Sequence, residues 1–314
     1  MNRPTRREFL RTAAALGGGV ALAPYASWAA EDGAAANPGM SIIRWGGDPV
    51  EDPGVDAMAE RLTRRALGDL GGMGRFVGRG DVVWIKPNIG WNRAPELGAT
   101  TNPGVVAALV KMCLDAGAKK VKVGDHTCHD ARQSYRSSGI EAAAKEAGAD
   151  VVQLDDNRYR EMKIGGERLD KWPLYPEIVE TDLVISVPIV KHHGLSKATL
   201  CMKNYMGVIG GNRGSWHQDL PACLVDITAF MKPRLTVLDA VRVLTAHGPQ
   251  GGNPADVERR NTVAAGTDIV ALDAFGAELL GFGPSAITTI RAAEEAGLGT
   301  ADYRSLAPSE SAES

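Results

Sequence analysis

The sequence predicts a single α/β domain built on a mostly parallel sheet covered by helices, with a small hairpin insertion. Two observations carry this. Short apolar runs alternate along the chain with segments of helical period, the pattern of strands joined by right-handed helical crossovers. The chain also shows no internal repeat and no second domain boundary, and about 285 residues after the N-terminal segment suffice for one large core.

The chain starts with Thr5-Arg6-Arg7-Glu8-Phe9-Leu10-Arg11, followed by a short, glycine-containing apolar run from Ala13 to Ala23. That run is too short to span a bilayer, which needs about 20 residues. A basic head, a short apolar centre and small residues near Ser27-Trp28-Ala29 describe a cleavable signal over residues 1–29. The arginine pair before Phe9-Leu10 makes it the twin-arginine type. The implied partner is the twin-arginine translocation machinery, and the implied location is periplasmic or extracytoplasmic. Residues 30–40 read as a linker and 41–305 as the domain.

Val55, Met58, Leu62 and Ala66 fall on one face of a helix running to Leu70. Asp81 to Lys86 reads as a buried strand closed by Pro87-Asn88. Asn102-Pro103 opens a helix to Ala116, since Asn caps well and Pro suits the first turn. Lys120 to Gly124 is a strand, Gly139 to Ala147 a helix, and Val151 to Leu154 a strand. Lys163 to Leu169 reads as a hairpin with a Gly165-Gly166 turn. Leu183 to Val190 is the strongest strand. Leu220 to Met231 is a helix, Leu235 to Leu238 and Thr262 to Ala265 are strands, and Asp268 to Leu280 and Ser285 to Ala296 are helices. Residues 306–314 read as a disordered tail. Gly71-Gly72-Met73-Gly74 does not follow a strand and open a helix, which excludes a nucleotide fingerprint.

The formal charge is −3, and removing the signal takes it to roughly −6. A mildly acidic product without a basic stripe excludes nucleic acid as a partner, and no other stretch reaches membrane-spanning length. The cysteines, Cys113, Cys128, Cys201 and Cys223, form no C-x-x-C pair, so there is no iron–sulfur motif. An oxidising compartment permits a disulfide without indicating the pair.

Chemistry collects at the carboxyl ends of the strands, where open α/β sheets bind ligands. Lys86 and Asn88 follow one strand; Asp125, His126, Cys128 and His129 the next; Lys191, His192 and His193 another; Asp239 and later His247 the last. Five of the six histidines fall at these ends, and His217 lies in the long segment beyond Lys191. Three readings compete. His126, Cys128, His129 and His193 could ligate zinc, nickel, iron or copper. Histidines tuned near neutral pH could instead do metal-free acid–base work, with lysines holding a small anionic molecule. Or the histidines cap strands and bind backbone carbonyls within a non-catalytic ligand-binding or cofactor-handling protein. In this scheme His193, Lys191, Lys203 and Asp239 are the catalytic candidates. Lys86, Asn88, Asn204, Lys197 and Arg213 are the ligand-binding candidates, and Asp239 would orient a histidine or bind a metal.

Lys86-Pro87-Asn88, Lys191-x-His193-Gly194-Leu195, Thr199-x4-Asn204 with Lys203, Met206-Gly207, Asp239-Ala240, Gly248-Pro249 and Gly266-Thr267-Asp268-x4-Asp273-Ala274 together resemble the domain of unknown function 362 family. The likeness runs from about residue 81 to 281. It implies an α/β fold and the same strand-end residues, without an established reaction. Some relatives carry an attached ferredoxin-like iron–sulfur module, and no such cysteine run occurs in this sequence. The family is also distantly similar to the nickel-dependent lactate racemase group, in which histidines and a lysine serve a nickel cofactor.

Overall fold

The computed structural model describes residues 38–52 and 54–314. The signal peptide expected over residues 1–29, and nearly all of the expected linker, lie outside them. The described chain opens with β1 (Met40–Trp45) and the amphipathic helix α1 (Val55–Asp69), whose Val55, Met58, Leu62 and Ala66 are all buried as their spacing requires. Then come β2 (Val82–Pro87), α2 (Pro103–Asp115) and β3 (Lys120–Val123). Asn102 caps α2 as expected: its Oδ1 accepts from the N–H groups of Gly104 at 2.8 Å and Val105 at 3.4 Å.

Two short helices, α3 (Ala131–Ser137) and α4 (Ile140–Glu146), lead to β4 (Asp150–Val151). The strand expected to reach Leu154 stops at Val151, because only Asp150 and Val151 pair with β3. The hairpin is β5 (Arg160–Lys163) with β6 (Lys171–Leu174). It closes through the 164–170 loop rather than a tight Gly-Gly turn. Asp226 pins that loop by accepting from the backbone N–H of Arg168 at 2.8 Å and Leu169 at 2.7 Å.

A single turn, α5 (Pro176–Val179), precedes β7 (Leu183–Val187) and β8 (Ile189–His193). These were expected as one strand. Pro188 has no N–H to give a ladder, and β8 leaves the line of β7 to pair with β10 and with β9 (Lys197–Thr199). After the turn α6 (Cys201–Asn204) come α7 (Leu220–Met231), β10 (Leu235–Leu244), β11 (Val257–Gly266), α8 (Ile269–Leu279) and α9 (Thr288–Glu295). Strands β10 and β11 both run longer than expected and pair antiparallel, with a bulge between Ala240 and Arg242.

The last residues correct the expectation of a disordered tail: they form β12 (Ser309–Glu313), parallel to β1. Strand β1 would otherwise leave a row of backbone groups open at the sheet edge. Side chains add to the pairing, with Ser309 Oγ donating to Asp69 at 2.8 Å and Glu310 bridging Arg44 at 2.7 Å.

The main sheet runs in the order β12-β1-β11-β10-β7-β2-β3-β4, parallel from β10 to β4. Its two faces bury separate cores, one under α1, α2 and α4, the other under α6 to α9. Along β2, Val83 and Ile85 enter the first core and Trp84 the second. Two-residue periodicity then sends Lys86 to the α6 face. No described helix is long and apolar enough to cross a membrane.

Candidate functional site

The carboxyl ends of β2, β3 and β8 meet the turn α6, and the side chains of Lys86, Asn88, Asp125, Lys191 and Asn204 interlock there. Lys86 is almost fully buried. Its Nζ donates to Asn204 Oδ1 at 2.8 Å and Pro87 O at 2.7 Å, and lies 2.6 Å from Asp125 Oδ1. It approaches that oxygen off the line of a hydrogen bond, so charge holds the contact. Burial lowers the Lys86 pKa, and Asp125 opposes the shift. Of the three donors of the ammonium, two go to Asn204 Oδ1 and Pro87 O, and Asp125 compensates the charge. Asp125 in turn accepts from the Ile89 N–H through Oδ2 at 2.7 Å.

Asn204 joins the strands: its Nδ2 donates to Lys86 O and to Ser186 Oγ, both at 3.0 Å. Asn88 Nδ2 approaches Asn204 Oδ1 at 3.4 Å, while Asn88 Oδ1 accepts from Lys191 Nζ at 3.1 Å. Lys191 also donates to Ala99 O at 2.5 Å. Both of its partners are neutral, so burial, with Lys203 and Lys86 nearby, brings it down to about 7.

Lys203 sits on α6, and among the described residues it has only soft partners, Met206 Sδ and His217 Nε2, each at 3.5 Å. Burial, with Arg213 nearby, brings it down to about 8. Among the described residues neither Lys191 nor Lys203 has a carboxylate partner.

Arg213 staples the loop after β3 to this edge. It donates to His126 O at 2.7 Å, to Thr127 O and to Cys128 Sγ at 3.4 Å.

Three comparisons bear on this arrangement. The family model described as "Domain of unknown function (DUF362)" matches residues 83–278, most of the chain. The chain belongs to this family. A thylakoid-associated protein of Synechocystis sp. is 29% identical over 243 residues, which is 75% of this chain and 74% of that protein. The lactate racemase apoprotein of Thermoanaerobacterium thermosaccharolyticum superposes with TM-score 0.43 at 14% identity, over 76% of this chain. A Thermotoga maritima protein superposes with TM-score 0.40 at 12% identity, over 75% of this chain. The chain spans only about three-fifths of each of these two solved chains, 61% and 60%.

In this DUF362 chain the histidines expected as metal ligands do not converge. His126 Nδ1 faces Ile209 O at 2.7 Å, and His129 Nδ1 accepts from the Asn92 N–H at 3.3 Å. His193 Nδ1 accepts from the N–H groups of Leu195 and Ser196 at 3.1 and 3.3 Å. Cys128 is exposed, and all four cysteines are unpaired. Among the described residues no group of three His, Cys, Asp or Glu side chains could hold a metal ion. The donor set expected for zinc, nickel, iron or copper therefore does not fit.

His193 is kept neutral down to about 3, first by burial and then by Lys203. With Nδ1 accepting, its proton sits on Nε2. It can donate a hydrogen bond but is a poor base near neutral pH.

Two further candidates sit differently from expectation. Lys197 is exposed at the β8–β9 turn with φ of 64°. Asp239 orients no histidine: it accepts from the backbone N–H of Asn102 at 2.7 Å and Val241 at 2.9 Å, which fixes the start of α2. Burial raises its pKa to about 6.

The sequence names Asp125, Asp273 and His217 but not the contacts they make. Asp125 stands in the sequence beside histidines, and an acid at a strand end is also a natural ion-pair partner for a strand-end lysine such as Lys86. Asp273 holds α6 by accepting from Cys201 N–H at 2.5 Å and Met202 N–H at 3.3 Å. His217 stacks on His193 at 5.5 Å between ring centroids. No local pattern signals the last two contacts, which cross between distant elements.

Proposed function

We propose that this protein is exported through the twin-arginine route and acts as an enzyme on a small anionic molecule. The molecule binds at the carboxyl edge of the parallel strands. One observation carries the reading: among the described residues Lys191 and Lys203 are cations held together without a carboxylate partner, beside a Lys86 whose charge Asp125 already compensates. Uncompensated positive charge in a desolvated place is costly, and a bound carboxylate or phosphate relieves it. The position agrees with the general rule for open α/β sheets. Asn88 and Asn204 then set the spacing of the lysines, and His193 offers its Nε2–H to the ligand.

Calorimetric titration with small carboxylates and inorganic phosphate tests this. Charge-assisted hydrogen bonds contribute about 1.5–3 kcal/mol. Lys191→Met and Lys203→Met are therefore each expected to weaken binding at least about 10-fold, and the exposed Lys197→Met to change it little. Equal affinity in all four proteins would remove the lysine pair from the site.

Export is supported by Arg6-Arg7 before Phe9-Leu10. Replacing both arginines by lysine is expected to leave the precursor in the cytoplasm, as read by fractionation. Undiminished export of that variant would contradict the route.

A further inference from the structure

Lys203 differs from the other two lysines of the site in what surrounds its nitrogen. Lys86 has a carboxylate and Lys191 has two oxygen acceptors. Among the described residues Lys203 Nζ has only a thioether sulfur and an imidazole nitrogen beside it, each 3.5 Å away. The residue is half-buried, whereas Lys86 and Lys191 are fully buried. A lysine amine desolvated beside other cations gives up its proton readily, and the neutral amine is a nucleophile for carbonyl carbon.

The imidazole beside it is set up to carry protons. His217 Nδ1 lies 3.1 Å from Gly214 O. That carbonyl can only accept, so Nδ1 carries the hydrogen and Nε2, the atom facing Lys203, presents its lone pair. The ring is held in place by its stacking on His193 at an interplanar angle of 21°. The turn bearing Lys203 is itself tied down by Asp273.

We propose that Lys203 forms an imine with a small carbonyl compound that carries a carboxylate, with His217 as the proton carrier. This rests on the anion-binding reading above and names the ligand class. The Nζ lone pair adds to the carbonyl carbon, and the C=O π pair moves to oxygen. His217 Nε2 takes a proton from the nitrogen and returns it to that oxygen. A proton drawn from solvent through His217 lets the hydroxyl leave as water while the nitrogen lone pair closes the C=N bond, and the protonated imine returns its N–H proton to His217 and solvent. Amine and carbonyl become imine and water, with nothing oxidised or reduced. Lys191 receives the carboxylate, so an uncharged aldehyde should react poorly.

The test is borohydride trapping of the full-length mature protein with glyoxylate, read by intact mass and peptide mapping. Acetaldehyde is the uncharged control, and glycolate binding by calorimetry reports the anion site separately. The expected result is one adduct per chain, on Lys203, formed at least about 10-fold faster with glyoxylate than with acetaldehyde. It should be absent from Lys203→Arg, which keeps the charge, and slowed at least about 10-fold in His217→Phe. Glycolate binding without a trapped adduct would overturn the imine and leave the anion reading standing. Adducts that persist in Lys203→Arg would do the same. Failure to bind glycolate or glyoxylate at all would overturn both.

Discussion

Asp125→Ala is expected to cost the fold about 3–5 kcal/mol, the range found when one partner of a buried ion pair is removed. Lys86 is 1% exposed and its ammonium would keep only Pro87 O and Asn204 Oδ1 as partners. The Ile89 N–H, now bonded to Asp125 Oδ2 at 2.7 Å, would also lose its acceptor. Urea unfolding at pH 7 measures the loss. The double variant Lys86→Met/Asp125→Ala is expected to recover part of it, because no buried charge is then left unpaired. A loss below about 1 kcal/mol in the single variant would mean that the pair is not the keystone described here.

Gly207→Ala is expected to be comparably damaging, for a steric reason. A methyl group at Gly207 would fall inside contact distance of Asp125 Oδ1, 2.5 Å from Lys86 Nζ and 2.6 Å from Lys86 Cε. Overpacking costs about 1–3 kcal/mol, and forcing the pair apart adds to it, for a total of about 3 kcal/mol or more. Gly214→Ala lies in the same segment and meets only Asn212 Oδ1, at 3.5 Å. It should stay within about 0.5 kcal/mol of wild type. Equal Tm values for the two alanine variants would contradict the close packing of Gly207 on the ion pair.

The α/β architecture was legible because it rests on period and punctuation. The buried positions of α1, the Asn102-Pro103 start of α2 and the apolar β7 all follow from residue order alone. The errors have specific physical origins. Strand β12 is polar and pairs only because β1 offers an edge, so Ser309 to Glu313 carry no signal of their own. Pro188 redirects the chain within an otherwise uninterrupted apolar run.

For the site, position was easier to read than pairing. Strand-end placement located Lys86, Lys191 and the histidines. It could not show that Lys86 pairs its charge with Asp125 and donates to Asn204, or that His126, His129 and His193 serve backbone groups. Those contacts join residues as much as 118 positions apart, and only the folded topology brings them together.

The central claim is that Lys191 and Lys203 await an anion. Its most direct test is the proton balance of binding, from titrations of one small carboxylate at pH 8 in two buffers of different ionisation enthalpy. Free Lys203 lies at about 8 and Lys191 at about 7, so both are partly deprotonated at pH 8. A bound anion favours the charged forms and raises both values. The protein should therefore take up protons on binding at pH 8, and nearly none at pH 6, where both amines are already charged. Binding with no proton uptake at pH 8, or uptake that persists in the Lys191→Met/Lys203→Met protein, would contradict the account.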